Sequence, residues 1–315
     1  MLTHLVILLD NTSVSYCYYD NVQERRLICL GDLRAGIVWA MKMNLNVQFV
    51  YPDYKLPEEY SDVIDIIDHT NIKPQCQNDD ADVIVLTEWK KEIPKVANGT
   101  VCIIRASRDE LKTFFQNILT LSKDVARLII TLTDIENFSD DEIDSYKSFL
   151  SDYADYLYGL YLSEKTPQIN ILTDRIMLGE MNNCNAGVNN ITLAPNGHFY
   201  LCPSFYYDDP RNDCGDLKRG LLIKNQKLLK LDHAPICRNC DAYHCRRCVR
   251  MNNRLTLDIN TPSHQQCVIA HLERNTSRLL QLKLQENGFQ LTPSHEIKEI
   301  DYLDPFIIVN KWKER

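Results

Sequence analysis

Eight of the chain's twelve cysteines lie between Cys184 and Cys267, and four of them are ordered Cys237-x2-Cys240-x4-Cys245-x2-Cys248. A two-residue spacer lets both sulfurs of a pair turn toward one point, so two close pairs can wrap one soft metal ion or an iron–sulfur cluster. Zinc ribbons and knuckles are built from the same pairs, and in that reading His233 or His244 offers a further ligand. More cysteines frame the knot. Cys184 is followed by x12-Gly197-x4-Cys202, and eighteen residues separate Cys248 from Cys267. Seven thiolates are too many for one tetrahedral ion. They suit two metal centres, with one ligand supplied from elsewhere. Cys214, in an Asp/Gly-rich stretch, is a candidate eighth.

A basic series runs through and past the knot: Arg238, Arg246, Arg247, Arg250 and Arg254, with Asp241 the only acid between them. Thiolate-ligated clusters are anionic, so nearby guanidiniums would stabilise them and tune their potential; a solvated basic face reads equally well. Tyr243 and these arginines could contact nucleic acid through a zinc knuckle. The chain as a whole carries 35 basic against 43 acidic residues, a net charge of −8, so no nucleic-acid partner is expected.

The N-terminal half offers less chemistry. The segment Asp10-Asn-Thr-Ser-Val-Ser-Tyr-Cys17-Tyr-Tyr19 holds one cysteine, with no base supplied beside it. Cys29 and Cys102 lie in apolar, strand-like runs and read as core thiols, and Cys76 stands apart. Asp10 reads as a turn or capping residue, with a general base as the weaker alternative. Tyr16, Tyr18 and Tyr19 read as packing residues, with a substrate groove as the alternative. His198 is a candidate ligand beside Cys202, while His233, His244 and His264 read as outer residues around the thiols. No phosphate-binding glycine loop, His-Glu-x-x-His or nucleophile elbow is present.

The elements that must position these groups alternate. Strands are expected at Leu5–Leu9, Val47–Tyr51, Val83–Leu86, Thr100–Ile104, Arg127–Thr131 and Gly159–Leu162, each a short apolar or β-branched run between polar or turn residues. Helices are expected at Ala35–Met43, Glu58–Ile66, Ser107–Leu121 and Asp140–Tyr153. Ser107 with Glu110 makes a capping-box signal, and the acids at 140–142 suit a helix start. Such alternation predicts a mostly parallel sheet with packed helices, either an open doubly wound sheet or an incomplete (β/α) barrel. Ile191–Ala194 and His198–Leu201 around Pro195-Asn196-Gly197 predict a hairpin. Lys224–Leu231 leads to the knot, a helix is expected from Val268 to about Gln285 with Asn287-Gly288 closing it, and Phe306–Val309 is a late apolar run.

With 315 residues, 44% of them hydrophobic and 25% charged, the chain is long enough for two domains and excludes overall disorder. The opening apolar run is five residues with no basic flank, and no stretch reaches the 18 or so apolar residues of a membrane span, so no membrane association and a cytoplasmic, thiol-reducing location are expected.

The order Cys184-x12-Gly197-x4-Cys202, knot, Cys267, with the phrase Ile191-Thr-Leu-Ala-Pro-Asn-Gly-His-Phe-Tyr-Leu-Cys202, resembles the SPASM domain of radical SAM peptide-modifying enzymes. The resemblance covers roughly residues 184–275. It implies two 4Fe–4S clusters, with Cys184, Cys202 and Cys248 serving the first and Cys237, Cys240, Cys245 and Cys267 the second. The knot's last two gaps are four and two residues where the family has five and three. Radical SAM enzymes also carry a C-x3-C-x2-C loop after the first strand, which leaves one iron open to S-adenosylmethionine; here that stretch has Cys17 alone. Together these features are similar to the CXXX repeat peptide maturases, whose barrel lacks that loop. The resemblance implies a degenerate, partial (β/α)-barrel domain over 1–180, a small Cys-rich SPASM-like domain over 181–275, and a helix end and tail over 276–315. It implies a role in maturing a ribosomally made Cys-repeat peptide beside a partner radical SAM enzyme, with no S-adenosylmethionine bound by this chain. The alternative is a non-catalytic peptide- or partner-binding module stapled by zinc or a cluster.

Overall fold

The computed structural model describes residues 2–97 and 99–306. Along the chain the elements are β1 (His4–Leu8), α1 (Leu30–Met43), β2 (Asn46–Val50), α2 (Glu58–Ile64), β3 (His69–Pro74), β4 (Val83–Val85), β5 (Val101–Ala106), α3 (Arg108–Thr113), α4 (Phe115–Asp124), β6 (Arg127–Leu132), α5 (Asp140–Leu162), β7 (Gln168–Ile169) and α6 (Asp174–Met177). They continue with β8 (Asn190–Leu193), β9 (Phe199–Tyr200), α7 (Pro203–Asp208), β10 (Gly215–Asp216), β11 (Gly220–Leu221), α8 (Val249–Thr256) and α9 (His264–Glu286). The chain divides into two compact units, Met1–Glu88 with Cys184–His233 and Trp89–Asn183 with Ala234–Arg315.

In the first unit β1 lies between two parallel neighbours, with His4 opposite Asn46 of β2 on one side and opposite Asn190 of β8 on the other. β2, β3 and β4 continue in parallel, and β9 folds back antiparallel on β8 as the Pro-Asn-Gly turn predicts. Leu5, Ile7 and Leu8 are fully buried, the continuous apolar reading that a doubly flanked parallel strand requires. Each such side chain contributes about 1.5–3 kcal/mol by leaving water. α1 presents Leu33, Gly36, Ile37 and Ala40 to the sheet at helical spacing. Gly36 sets how close the helix comes, because a Cβ there would stand 2.5 Å from Leu193 Cδ2.

In the second unit β5, β6 and β7 are parallel, with Val101 opposite Arg127 and Arg127 opposite Gln168. α5 buries Tyr146, Phe149, Leu150, Tyr153, Ala154, Leu157, Leu160 and Tyr161, a stripe at helical spacing from its second turn to its end, and it packs against α9. The α/β class with mostly parallel strands and a Cys-rich C-terminal region therefore stands.

Four local expectations need correction. Gly159–Leu162 is the last turn of α5 rather than a strand, because Leu160 and Tyr161 extend the helix's apolar stripe past Tyr153. Ser107–Leu121 is two helices broken at Phe114 (φ −106°, ψ 27°), although the Ser107–Glu110 capping box forms as expected. β3 was not anticipated: only Ile72 and Pro74 are buried in it, so its sequence lacks the apolar run of its neighbours. Cys29 is exposed at the start of α1 rather than in the core, whereas Cys102 is fully buried in β5. Beyond Phe306, the late apolar run lies outside the described residues. Among the described residues no helix is long and apolar enough to cross a membrane.

Candidate metal centres built from cysteine thiols

The knot is a sequence of tight turns in the second unit. Cys237–Asn239 and Tyr243–Cys245 are single 3₁₀ turns. Arg246 (φ 58°) and Arg247 (φ 39°) then take the left-handed region in succession, a costly conformation for non-glycine residues that curls the chain between Cys245 and Cys248. Cys248 caps α8, its Sγ accepting from the Met251 N–H at 3.4 Å. Cys267 sits on the first turn of α9, whose start is fixed by a Ser263–Gln266 capping box.

Cys237, Cys240, Cys245 and Cys267 are close enough that every pair among them interacts electrostatically. Burial pushes Cys237 up to about 11 and Cys245 up to about 12, and the neighbouring thiols add to it. Cys267 is raised further by burial and by the other three sulfurs. All four are thus protonated thiols at neutral pH, and each must release its proton on taking a metal. Cations moderate this: Arg247 opposes the rise at Cys237, while Arg274 and Arg175 oppose it at Cys240.

Two of those cations, Arg274 and Arg175, are held by Asp241. Arg274, fully buried on α9, grips Asp241 as a fork, Nε to Oδ1 at 2.7 Å and Nη2 to Oδ2 at 2.6 Å. Arg175 adds a bond to Oδ2 at 3.2 Å and lies over the Tyr243 ring at 4.4 Å. Burial raises Asp241, but Arg274 and Arg175 outweigh it and hold the carboxyl below its ordinary range. A second buried group ties the knot to the helices. Glu273 of α9 accepts from Tyr146 of α5 at 2.6 Å and stands 2.8 Å from His244 Nε2.

In the first unit, Cys202 precedes α7, and Cys184 starts the turn that leads into β8. Burial raises the Cys202 thiol strongly, and Cys184 and Cys17 add to the rise. Cys214 is half-buried against the first unit's core, and its Sγ donates to the Phe199 carbonyl at 3.3 Å. The donor chemistry of both sets, soft sulfur with buried guanidinium beside the knot, fits an iron–sulfur cluster or zinc. Among the described residues no three His, Cys, Asp or Glu side chains converge at the spacing of a single metal ion.

No family model and no curated protein matches the chain. Solved structures do. A native anSMEcpe structure with bound AdoMet and a Cp18Cys peptide is 13% identical, covering 90% of this chain and 100% of its own, with a TM-score of 0.59. The chain has the anSMEcpe fold. A His-tagged anSMEcpe with bound AdoMet is 12% identical over 92% of this chain and 100% of its own, with a TM-score of 0.55.

Several sequence-level expectations meet the geometry. Asp10 is fully buried in a turn, its Oδ1 accepting from the Thr12 N–H and hydroxyl at 2.8 and 2.7 Å. Tyr19 is buried and stacks on Tyr207, the packing role expected of that tyrosine group. Arg247 and Arg250 are buried rather than part of a solvated face, whereas Arg254 pairs with Glu136. His198 lies 3.6 Å from Asp213, and His264 2.7 Å from Asp304. Sequence reasoning missed His271, Glu273, Arg274 and Arg175. The signal for His271 was its position four residues after Cys267 on one helix face. Arg175 carried none, being remote from the knot in sequence.

Proposed function

We propose that this chain takes part in maturing a ribosomally synthesised Cys-repeat peptide, working beside a partner radical SAM enzyme in the cytoplasm. Its SPASM-like segment, residues 181–275, follows the degenerate α/β domain over 1–180 and precedes the helix end and tail over 276–315. It binds two 4Fe–4S clusters through Cys184, Cys202 and Cys248 and through Cys237, Cys240, Cys245 and Cys267. The observation that carries the reading is the mutual proximity of the last four thiols beside Arg247, Arg274 and Arg175. When bound, such clusters carry electrons or offer an iron to a thiolate. The chain's own residues orient the thiols: Asp241 locks the middle of the knot through Arg274, and Glu273 with Tyr146 holds α9, which bears Cys267, against α5. The Cp18Cys peptide bound by anSMEcpe supports a peptide partner for the shared fold. The single cysteine in 10–19 supports a division of labour in which the partner generates the radical and this chain binds no S-adenosylmethionine.

The reading is tested by fluorescence anisotropy with a labelled synthetic peptide of Cys-x3 repeats and the anaerobically loaded chain. Saturable binding that exceeds that of a scrambled peptide is expected. Equal or no binding of the two peptides contradicts the proposal.

A further inference from the structure

Cys17 lies outside the seven-thiol pattern, yet its loop is fastened to the peptide that carries Cys202. Ser204 Oγ donates to the Tyr18 carbonyl at 3.4 Å, the Tyr206 hydroxyl donates to Asn11, and Tyr19 stacks on Tyr207 with centroids 5.0 Å apart and planes 8° from parallel. All three partners are on α7, which starts immediately after Cys202. Cys17, between Tyr16 and Tyr18, is therefore anchored from both sides of its loop.

Cys184 arrives by another route. Its carbonyl accepts from the Asn190 side-chain amide. The turn that follows it comes so close to the residue before Cys202 that a Cβ at Gly187 (φ +76°) would stand 2.7 Å from Leu201 Cδ2. The electrostatics agree with this placement. After burial, the groups acting on the Tyr16 phenol are Cys17, Cys202 and Cys184, and those acting on Cys202 include Cys184 and Cys17.

We propose that Cys17 joins Cys184 and Cys202 as a protein ligand of the first cluster, so that the first compact unit supplies three thiolates. The inference rests on the cluster reading above. Each thiol releases its proton to solvent as its sulfur displaces an exogenous ligand from an iron of a preformed cluster, an exchange that changes no oxidation state and needs no oxidant. Cys214, the other candidate for an eighth ligand, already spends its S–H on the Phe199 carbonyl.

The test uses the full chain, loaded anaerobically with iron and sulfide. Differential alkylation with iodoacetamide and peptide mass spectrometry compares loaded chain with chelator-stripped chain, and iron, sulfide and the EPR of the dithionite-reduced sample are read in Cys17→Ser and Cys214→Ala. Cys17 is expected to be protected when loaded and labelled when stripped. Cys17→Ser should lose one of two EPR signals, its iron falling from about eight toward about four per chain, while Cys214→Ala matches wild type. Equal labelling of Cys17 in both states overturns the inference even if Cys17→Ser fails to fold, as does Cys17→Ser with wild-type iron and EPR. A wild-type chain that takes up no iron or sulfide overturns the inference together with the cluster reading, and that result is distinct from normal loading with Cys17 unprotected.

Discussion

His271 Nε2 stands 3.7 Å from Cys240 Sγ, while its Nδ1 lies 2.8 Å from the Cys267 carbonyl oxygen. One buried imidazole thus bridges a knot thiol and the helix turn that bears another. Burial lowers its pKa, so it is neutral at physiological pH and has one ring N–H to donate. Replacing it with alanine removes the bridge and opens a cavity beside two thiols. The expected loss is about 1–3 kcal/mol in urea unfolding, with reduced metal retention against a chelator. His271→Ala with wild-type stability and retention contradicts the bridging role.

Asp241 is the sole acid among the arginines of the knot, and the fully buried Arg274 depends on it. Removing one partner of a buried pair costs about 3–5 kcal/mol, and Asp241's partial exposure places Asp241→Asn near the lower end, about 3 kcal/mol. The exposed pair Arg211–Asp209 is the control: Arg211→Ala should leave the unfolding midpoint in place. Equal effects from the two substitutions refute the claim that the node holds the knot.

Glycines at two helix positions should respond with opposite sign. Gly36→Ala places a Cβ 2.5 Å from Leu193 Cδ2, an overpacking that costs about 1–3 kcal/mol. Gly159 on α5 has nothing within 4 Å of its added Cβ, so Gly159→Ala should stabilise by about 0.5–1 kcal/mol. Thermal unfolding of both variants reads the pair directly.

Acid stability should carry a signature of the α3 cap. Burial raises Glu110, but Lys90 and the Ser107 cap outweigh it and leave the folded pKa below the ordinary carboxylate value. A depressed folded pKa means that this contribution is present above the unfolded value and is lost as pH falls through the folded one. Glu110→Gln should lower stability at pH 7 and flatten the fall in stability below about pH 4.5. A variant whose acid limb parallels wild type shows that the cap carries no pH-dependent stability.

The parts of the fold that were legible in sequence are those in which local chemistry and tertiary context agree. β1, the Pro195-Asn196-Gly197 hairpin and the capping box at Ser107 each carry their own signal and appear where expected. The failures came where context decides. Gly159–Leu162 reads as a strand in isolation, yet belongs to a helical stripe that runs from Tyr146 to Tyr161, and β3 is stabilised by its neighbours rather than by its own side chains. At the site, thiol spacing pointed to the knot, but the groups that fix it, Arg175 and Glu273, are distant in sequence and charged, and nothing local distinguishes them from surface residues.

The central claim is that these thiols hold iron–sulfur clusters, and anaerobic Mössbauer spectroscopy with iron, sulfide and zinc analysis of the purified full chain tests it most directly. The account predicts about eight irons and eight sulfides per chain, in two 4Fe–4S clusters. Iron and sulfide absent after anaerobic reconstitution, with only zinc bound tightly, contradicts it.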